Sequence, residues 1–246
     1  MKIVSKKFLP VFLFILGIAV LGVVFFFITR STDETGSPEE DENIPEVALE
    51  NRPIVSLIPK EDGHWLKLVI EKLKIPAASL DYELLYSLPD GRTQGVPGTI
   101  ALKSETSIER DLLLGSESSG KFRYDEGVEE GTLTLRFRNE KGKLKARFQT
   151  KFHLQADTME LSSADGKAKF SLTKTPKKAF FVTMETFGIP SAAPGALTSG
   201  PWGVFSSSSA SFTAEVDLGS AKVYRASGTK WLEVAKAADF DFGIFI

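Results

Sequence analysis

From about residue 53 to the end of the chain, apolar and polar positions alternate with the period of two that marks half-buried β-strands. Leu80, Tyr82, Leu84, Tyr86 and Leu88 fall on one face, and Asp81, Glu83, Leu85 and Ser87 on the other. Leu88-Pro89-Asp90-Gly91 then turns the chain. Leu133, Leu135 and Phe137 alternate with Thr132, Thr134, Arg136 and Arg138. After the connection NEKG, Leu144, Ala146, Phe148, Thr150, Phe152 and Leu154 alternate with Lys145, Arg147, Gln149, Lys151 and His153. Two period-two runs joined through a glycine predict a β-hairpin over 132–154. Phe212, Ala214, Val216 and Leu218 continue the pattern, and Gly219-Ser220 is placed to turn the chain toward AKVYRAS. Phe240, Phe242, Ile244 and Ile246 predict a last strand with one apolar face. The stretch HWLKLVIEKLKI satisfies both helical and strand spacing. Its β context and the stop at Ile75-Pro76 favour a strand.

Short strands at this spacing predict an all-β ectodomain of tandem immunoglobulin-like antiparallel β-sandwiches. The division falls near Ala156-Asp157, giving a first sandwich over 53–155 and a second, smaller one over 157–246. One larger sandwich is the alternative.

The N-terminus obeys another pattern. Residues 8–29 hold 22 positions without a charge. As a helix they span roughly 33 Å, against a hydrocarbon core of about 30 Å. A cleaved signal peptide has a shorter apolar region and a small-residue cleavage site. This segment ends in FFFITR with no A-x-A pattern, so an uncleaved transmembrane helix is expected. Lys2, Lys6 and Lys7 precede it, whereas Arg30 is the only base between it and Arg52. That asymmetry keeps residues 1–7 in the cytoplasm and carries the remainder outside, as a single-pass protein of the cell membrane. Residues 30–52 form an acidic linker. Eight carboxylates and no base lie within 31–50, a composition suited to a solvated, extended tether. Ca²⁺ binding by these carboxylates is the weaker reading, because it needs fixed geometry.

Charge and composition narrow the function. The chain carries a formal charge of −2, and residues 51–246 hold 26 bases and 24 acids. A nucleic-acid binder shows a basic excess, which is absent here. With no cysteine and only His64 and His153, the chain has no thiol chemistry or disulfides, and His-rich metal sites are disfavoured. No cofactor is implied.

The layout of short cytoplasmic stub, anchor, acidic spacer and β ectodomain, together with the stretch RDLLLGSESSGKFRYDEGVEEGTLTLRFRNEKGKLKA, resembles uncharacterised bacterial single-pass envelope proteins with immunoglobulin-like β-sandwich ectodomains. The resemblance implies an envelope location and carries no site residue.

Several motifs bear on chemistry. Gly115–Lys121 reads GSESSGK, close to a phosphate-binding loop. Phe122 stands where the Mg²⁺-binding hydroxyl belongs, and Glu117 would put a negative charge in the anion cradle, so a loop between strands is expected. YDEGVEEG (124–131) groups carboxylates around two glycines without EF-hand spacing. Asp239 and Asp241 flank Phe240 and would point to one outer face. Ser118–Lys121 and Ser171–Lys174 match S-x-x-K without its companion motifs. Neither histidine has an evident paired nucleophile. Two features suggest an interaction surface. One is the hairpin face with Arg136, Arg138, Lys145, Arg147 and Lys151, suited to anionic polymer or headgroups, or simply a solvated face that discourages edge pairing. The other is Trp202 in the loop-rich region 188–210, as a binding aromatic or a plug for the sandwich end.

The expected function is therefore non-enzymatic: a binding, adhesion or envelope-assembly module that meets the bilayer through 8–29 and an envelope protein or glycan through its ectodomain. An envelope hydrolase or carbohydrate-active enzyme with dispersed carboxylates, and an accessory subunit of a larger membrane complex, are the alternatives.

Overall fold

Alternating sequences pair into antiparallel sheets whose apolar faces must be covered, and the computed structural model shows two coverings on one long sheet. The structure describes residues 44–197, 199–234, 237–240 and 243–246. The expected stub, membrane helix and most of the acidic linker lie outside the described residues. Among the described residues, no helix is long and apolar enough to cross a membrane.

A three-stranded sheet orders β1 (Ile54–Pro59), β2 (Trp65–Glu71) and β5 (Ser107–Leu113) side by side. A nine-stranded sheet runs in the order β16 (Lys230–Val234), β15 (Val223–Ser227), β18 (Ile244–Phe245), β13 (Trp202–Ser206), β12 (Phe180–Glu185), β9 (Leu144–Ala156), β8 (Glu130–Arg138), β3 (Ser79–Ser87) and β4 (Thr93–Ala101). A four-stranded sheet orders β10 (Glu160–Ser162), β11 (Lys169–Leu172), β14 (Phe212–Asp217) and β17 (Ala237–Phe240). A separate ribbon pairs β6 (Gly115–Ser118) with β7 (Lys121–Tyr124). The sheets are antiparallel, and the described residues form an all-β structure.

The two apolar cores lie on opposite faces of the nine-stranded sheet. Residues directly opposite on neighbouring strands share a face, and successive residues alternate. Phe148, Phe152 and Leu154 of β9, with Val182 and Met184 of β12, belong to the first core. There they meet Val55, Leu57, Leu66, Leu68 and Ile70 of the three-stranded sheet. Phe181 of β12 and Trp202 and Val204 of β13 point the other way, into a second core with Phe170, Leu172, Ala214 and Val216 of the four-stranded sheet. The pairing of β12 with β9, Met184 against Phe152 through Phe180 against Ala156, carries the sheet across the sequence boundary at 156–157. Each sandwich core thus has its own cover sheet, and β12 and β13 serve both. A fully buried Leu or Phe contributes about 1.5–3 kcal/mol by leaving water, so both cores are strongly held.

The 132–154 hairpin forms as its periodicity predicts. Leu133, Leu135 and Phe137 are buried opposite Thr150, Phe148 and Ala146. Asn139 builds the turn: its carbonyl accepts from Gly142 N–H at 2.9 Å, and its side-chain oxygen accepts from Lys141 and Lys143 at 3.0 Å. HWLKLVIEKLKI forms β2, with Leu66, Leu68 and Ile70 all fully buried.

One expectation about the C-terminal part is corrected. The segment DFDFGIFI is not one strand. It divides between β17, which pairs with β14, and β18, which pairs with β13 and β15 in the other sheet. Among the described side chains near the end, the buried ring is that of Phe245, of the opposite parity to the predicted face, and Ile246 of that face is buried as well; Phe242 lies outside the described residues. The physical reason is that the terminal residues close two sheets, each with its own apolar face to cover. Gly219-Ser220 turns the chain toward AKVYRAS as expected, with Gly219 N–H donating to Asp217 Oδ1 at 2.9 Å. This turn passes the chain from β14 in the four-stranded sheet to β15 in the nine-stranded one.

Candidate functional site

Large exposed apolar side chains are the informative exceptions on a folded surface. Two of them, Phe122 (46% exposed) and Tyr124 (39% exposed), stand side by side on β7. Their positions follow from the strand pattern: i and i+2 lie on one face of the ribbon. That face also carries Glu117, which pairs with Phe122, and Gly115, which pairs with Tyr124. Lys121 and Arg123 pair with Ser118 and Ser116 on the opposite face.

The aromatic face folds back over the end of the three-stranded sheet. Tyr124 stacks on His64 at 4.4 Å between ring centroids, with planes 12° apart. Phe122 lies parallel to Tyr124 within 6° at 6.2 Å, and meets the Trp65 ring edge-on at 5.6 Å. Lys60 sits 5.2 Å from the centroid of Trp65 and pairs with Asp111 at 2.6 Å. Lys67 pairs with Glu109 at 3.0 Å. The carboxylate of Glu126 lies 3.9 Å from His64 Nε2. The result is four rings in one run of contacts, His64 to Tyr124 to Phe122 to Trp65, with Glu117 and Glu126 exposed nearby.

The base of the ribbon is firmly held. Asp125 N–H donates to the Leu114 carbonyl at 3.0 Å, and Leu114 N–H donates to His64 at 2.8 Å. Tyr86, buried in the first core, donates its hydroxyl to Asp125 at 2.8 Å. Burial, reinforced by the Asp125 carboxylate, pushes the Tyr86 phenol well above its ordinary range. Gly115 has φ +151, and a Cβ there would stand 2.2 Å from the Arg123 carbonyl oxygen. Glycine is therefore what lets the two strands of the ribbon close at its base.

The same geometry decides the phosphate-loop motif. GSESSGK folds as strand, two-residue turn and strand, with Ser119 (φ 52) and Gly120 (φ 75) both left-handed at the tip. Such a turn matches the twist of a hairpin. No helix follows Lys121, so the backbone donors of a phosphate cradle are not assembled there. The first S-x-x-K match is the hairpin pair Ser118 and Lys121.

The basic hairpin face is partly neutralised. Arg138 pairs with Asp81 at 2.8 Å, and Arg136 with Glu83 at 3.3 Å, both from β3. Lys145, Arg147 and Lys151 are exposed on β9, with Arg147 directly opposite Arg136. Trp202 lies on β13 and is 5% exposed, with its ring in the second core and Nε1 3.5 Å from Ser199 Oγ. The structure thus groups Arg136, Arg138, Lys145, Arg147 and Lys151 on one face and places Trp202 in the interior. Asp239 pairs with Thr213 in the four-stranded sheet, and Asp241 lies outside the described residues. Among the described residues no cluster of three or more metal-ligating side chains converges.

His153 has a neighbour that its sequence position does not disclose. Its Nδ1 is 2.9 Å from the Ser162 carbonyl and 3.4 Å from Ser162 Oγ. A carbonyl only accepts, so Nδ1 carries the proton and has no lone pair with which to activate the hydroxyl. The contact instead clamps β10 to β9.

Glu185 ends β12 opposite Trp202. Burial raises its carboxyl above the ordinary range, with Arg52 opposing the rise. The fold therefore favours the protonated form. Its contribution to stability is full below the unfolded carboxyl pKa and is lost as pH rises through the higher folded value. Glu185→Gln is expected to raise the melting temperature at neutral pH and to leave it unchanged in acid below the carboxylate range. Equal melting temperatures at neutral pH would refute the burial argument.

The aromatic cluster escapes a motif search because it is assembled from two places. His64 ends the β1–β2 connection and Trp65 opens β2, whereas Phe122 and Tyr124 come from β7. The available signal was the i, i+2 spacing of Phe122 and Tyr124 in KFRYD. Comparison with protein-family models, with curated proteins and with solved structures gave no match for the chain.

Proposed function

We propose that this chain is a non-enzymatic binding module of the cell envelope. Residues 8–29 anchor it in the membrane, the acidic segment 30–52 is a spacer, and the ectodomain, read as tandem immunoglobulin-like sandwiches over 53–155 and 157–246, stands outside the cytoplasm. The charge-free 22-residue segment and the lysines before it support the anchor and its orientation. The observation that carries the binding role is the exposed ring pair Phe122 and Tyr124 on a ribbon outside both cores. Such side chains offer large contact area with few rotors to immobilise.

The test is retention of the full-length protein on sedimented envelope material after detergent extraction. Wild type is expected to stay with the pellet. Phe122→Ala combined with Tyr124→Ala is expected to release it, with an unchanged far-ultraviolet circular dichroism spectrum. Equal retention of the two proteins would remove the ribbon from the binding surface.

A further inference from the structure

We infer that the ribbon binds a polysaccharide that is uncharged or amine-bearing, laid across Phe122 and Tyr124 with Glu117 and Glu126 at its edge. This rests on the binding-module reading above and names its ligand class. A pyranose ring has one face of C–H bonds and a rim of hydroxyls. It therefore needs an apolar surface of about its own size, with hydrogen-bonding groups beside that surface. Phe122 and Tyr124 supply rings whose planes agree within 6° at a spacing of 6.2 Å. His64 stacks on Tyr124 and Trp65 meets Phe122 in a T-shaped contact, which restricts the motion of both rings. A site preordered in this way loses little side-chain entropy on binding.

Charge selects among envelope polymers. The cations on the sheet below the rings are already compensated, Lys60 by Asp111 and Lys67 by Glu109. Lys121 and Arg123 belong to the reverse face of the ribbon by pairing register. The charged groups left at the ring face are carboxylates. Glu117 shares that face, and Glu126 stands next to His64. A phosphate- or carboxylate-rich polymer, or an anionic lipid surface, would meet like charge there. Hydroxyl and ammonium groups would instead donate to these oxygens, as charge-assisted hydrogen bonds require.

The experiment titrates the full-length protein in neutral detergent micelles with short oligomers of N-acetylglucosamine and of glucosamine, read by calorimetry. Saturable binding is expected, weakened roughly tenfold or more by Tyr124→Ala or Phe122→Ala. Tyr124→Phe keeps the ring and is expected to retain binding, as is the double change Lys121→Ala and Arg123→Ala. Glu117→Gln is expected to weaken the glucosamine oligomer more than the acetylated one. Saturable binding of anionic vesicles or a polyphosphate, lost with Lys121 and Arg123, would overturn the ligand class. Ring-dependent retention on the envelope with no saturable binding of either oligomer would overturn the saccharide assignment and leave the binding module standing. Retention that does not depend on the rings would remove both.

Discussion

Replacing Phe245 with alanine is expected to cost about 3–5 kcal/mol, the usual range for a core Phe→Ala change. The ring is fully buried, packs edge-on against Phe170 at 5.3 Å and faces Trp202 across the β13–β18 pair. Phe170 belongs to the four-stranded sheet and Trp202 to the nine-stranded sheet, so Phe245 ties the second core together from both sides. The backbone adds to this. Tyr224 and Ile246 exchange two hydrogen bonds, at 2.8 and 2.9 Å, which hold β15 next to β18. Against a domain stability of about 5–15 kcal/mol, the loss is expected to lower the melting temperature by roughly 6–20 °C. Scanning calorimetry measures it. A shift within about 2 °C of wild type would mean that the C-terminal residues contribute little to the core. Because β12 and β13 line both cores, Phe245→Ala is expected to move one transition rather than split off a separate low-temperature one. A split would show that the two cores unfold independently.

The second large effect is expected at Gly131. This residue pairs with both Tyr86 and Phe152 inside the nine-stranded sheet. A Cβ there would stand 2.3 Å from the Leu85 carbonyl oxygen and 2.4 Å from the Phe152 ring. The first of those is backbone, so a side chain cannot be accommodated by a rotamer change and the strands must part. Overpacking a core costs about 1–3 kcal/mol when side chains can shift. Gly131→Val is expected to reach or pass the top of that range, and Gly131→Ala to lie inside it. Denaturant titration with an unchanged midpoint for the valine variant would contradict the close approach. Gly115 provides a contrast. It is equally intolerant of a side chain, but its ribbon lies outside both cores. Gly115→Ala is therefore expected to disturb ligand binding more than global stability.

The sequence determined the strands that bury one face and solvate the other. Leu66, Leu68 and Ile70, and the two sides of the 132–154 hairpin, fall where period two puts them, because burial of alternate side chains is a local rule. The same rule passes over β4, where Gly95, Pro97 and Gly98 interrupt the pattern. Proline is tolerated there because β4 is an edge strand, and the Tyr82 ring occupies the space where a Cβ of Gly98 would lie. Nor does a period of two tell which sheet a strand joins. The split of the terminal segment between β17 and β18, and the passage from β14 to β15, depend on which apolar faces remain uncovered once the other strands are in place.

For the candidate site, the chain by itself fixed the absence of cysteine chemistry, the near balance of charge beyond residue 50 and the spacing of Phe122 and Tyr124. It also assembled the five basic positions of the hairpin on one face. Tertiary structure decided the remainder. Asp81 and Glu83 reach Arg138 and Arg136 only because β3 pairs with β8. Trp202 is buried because the four-stranded sheet covers its face. The four-ring cluster exists because a ribbon after β5 folds back onto the start of β2, bringing residues about sixty positions apart into contact. Contacts of that kind follow from the order in which strands pair, and strand order is a property of the whole packed chain rather than of any segment of it.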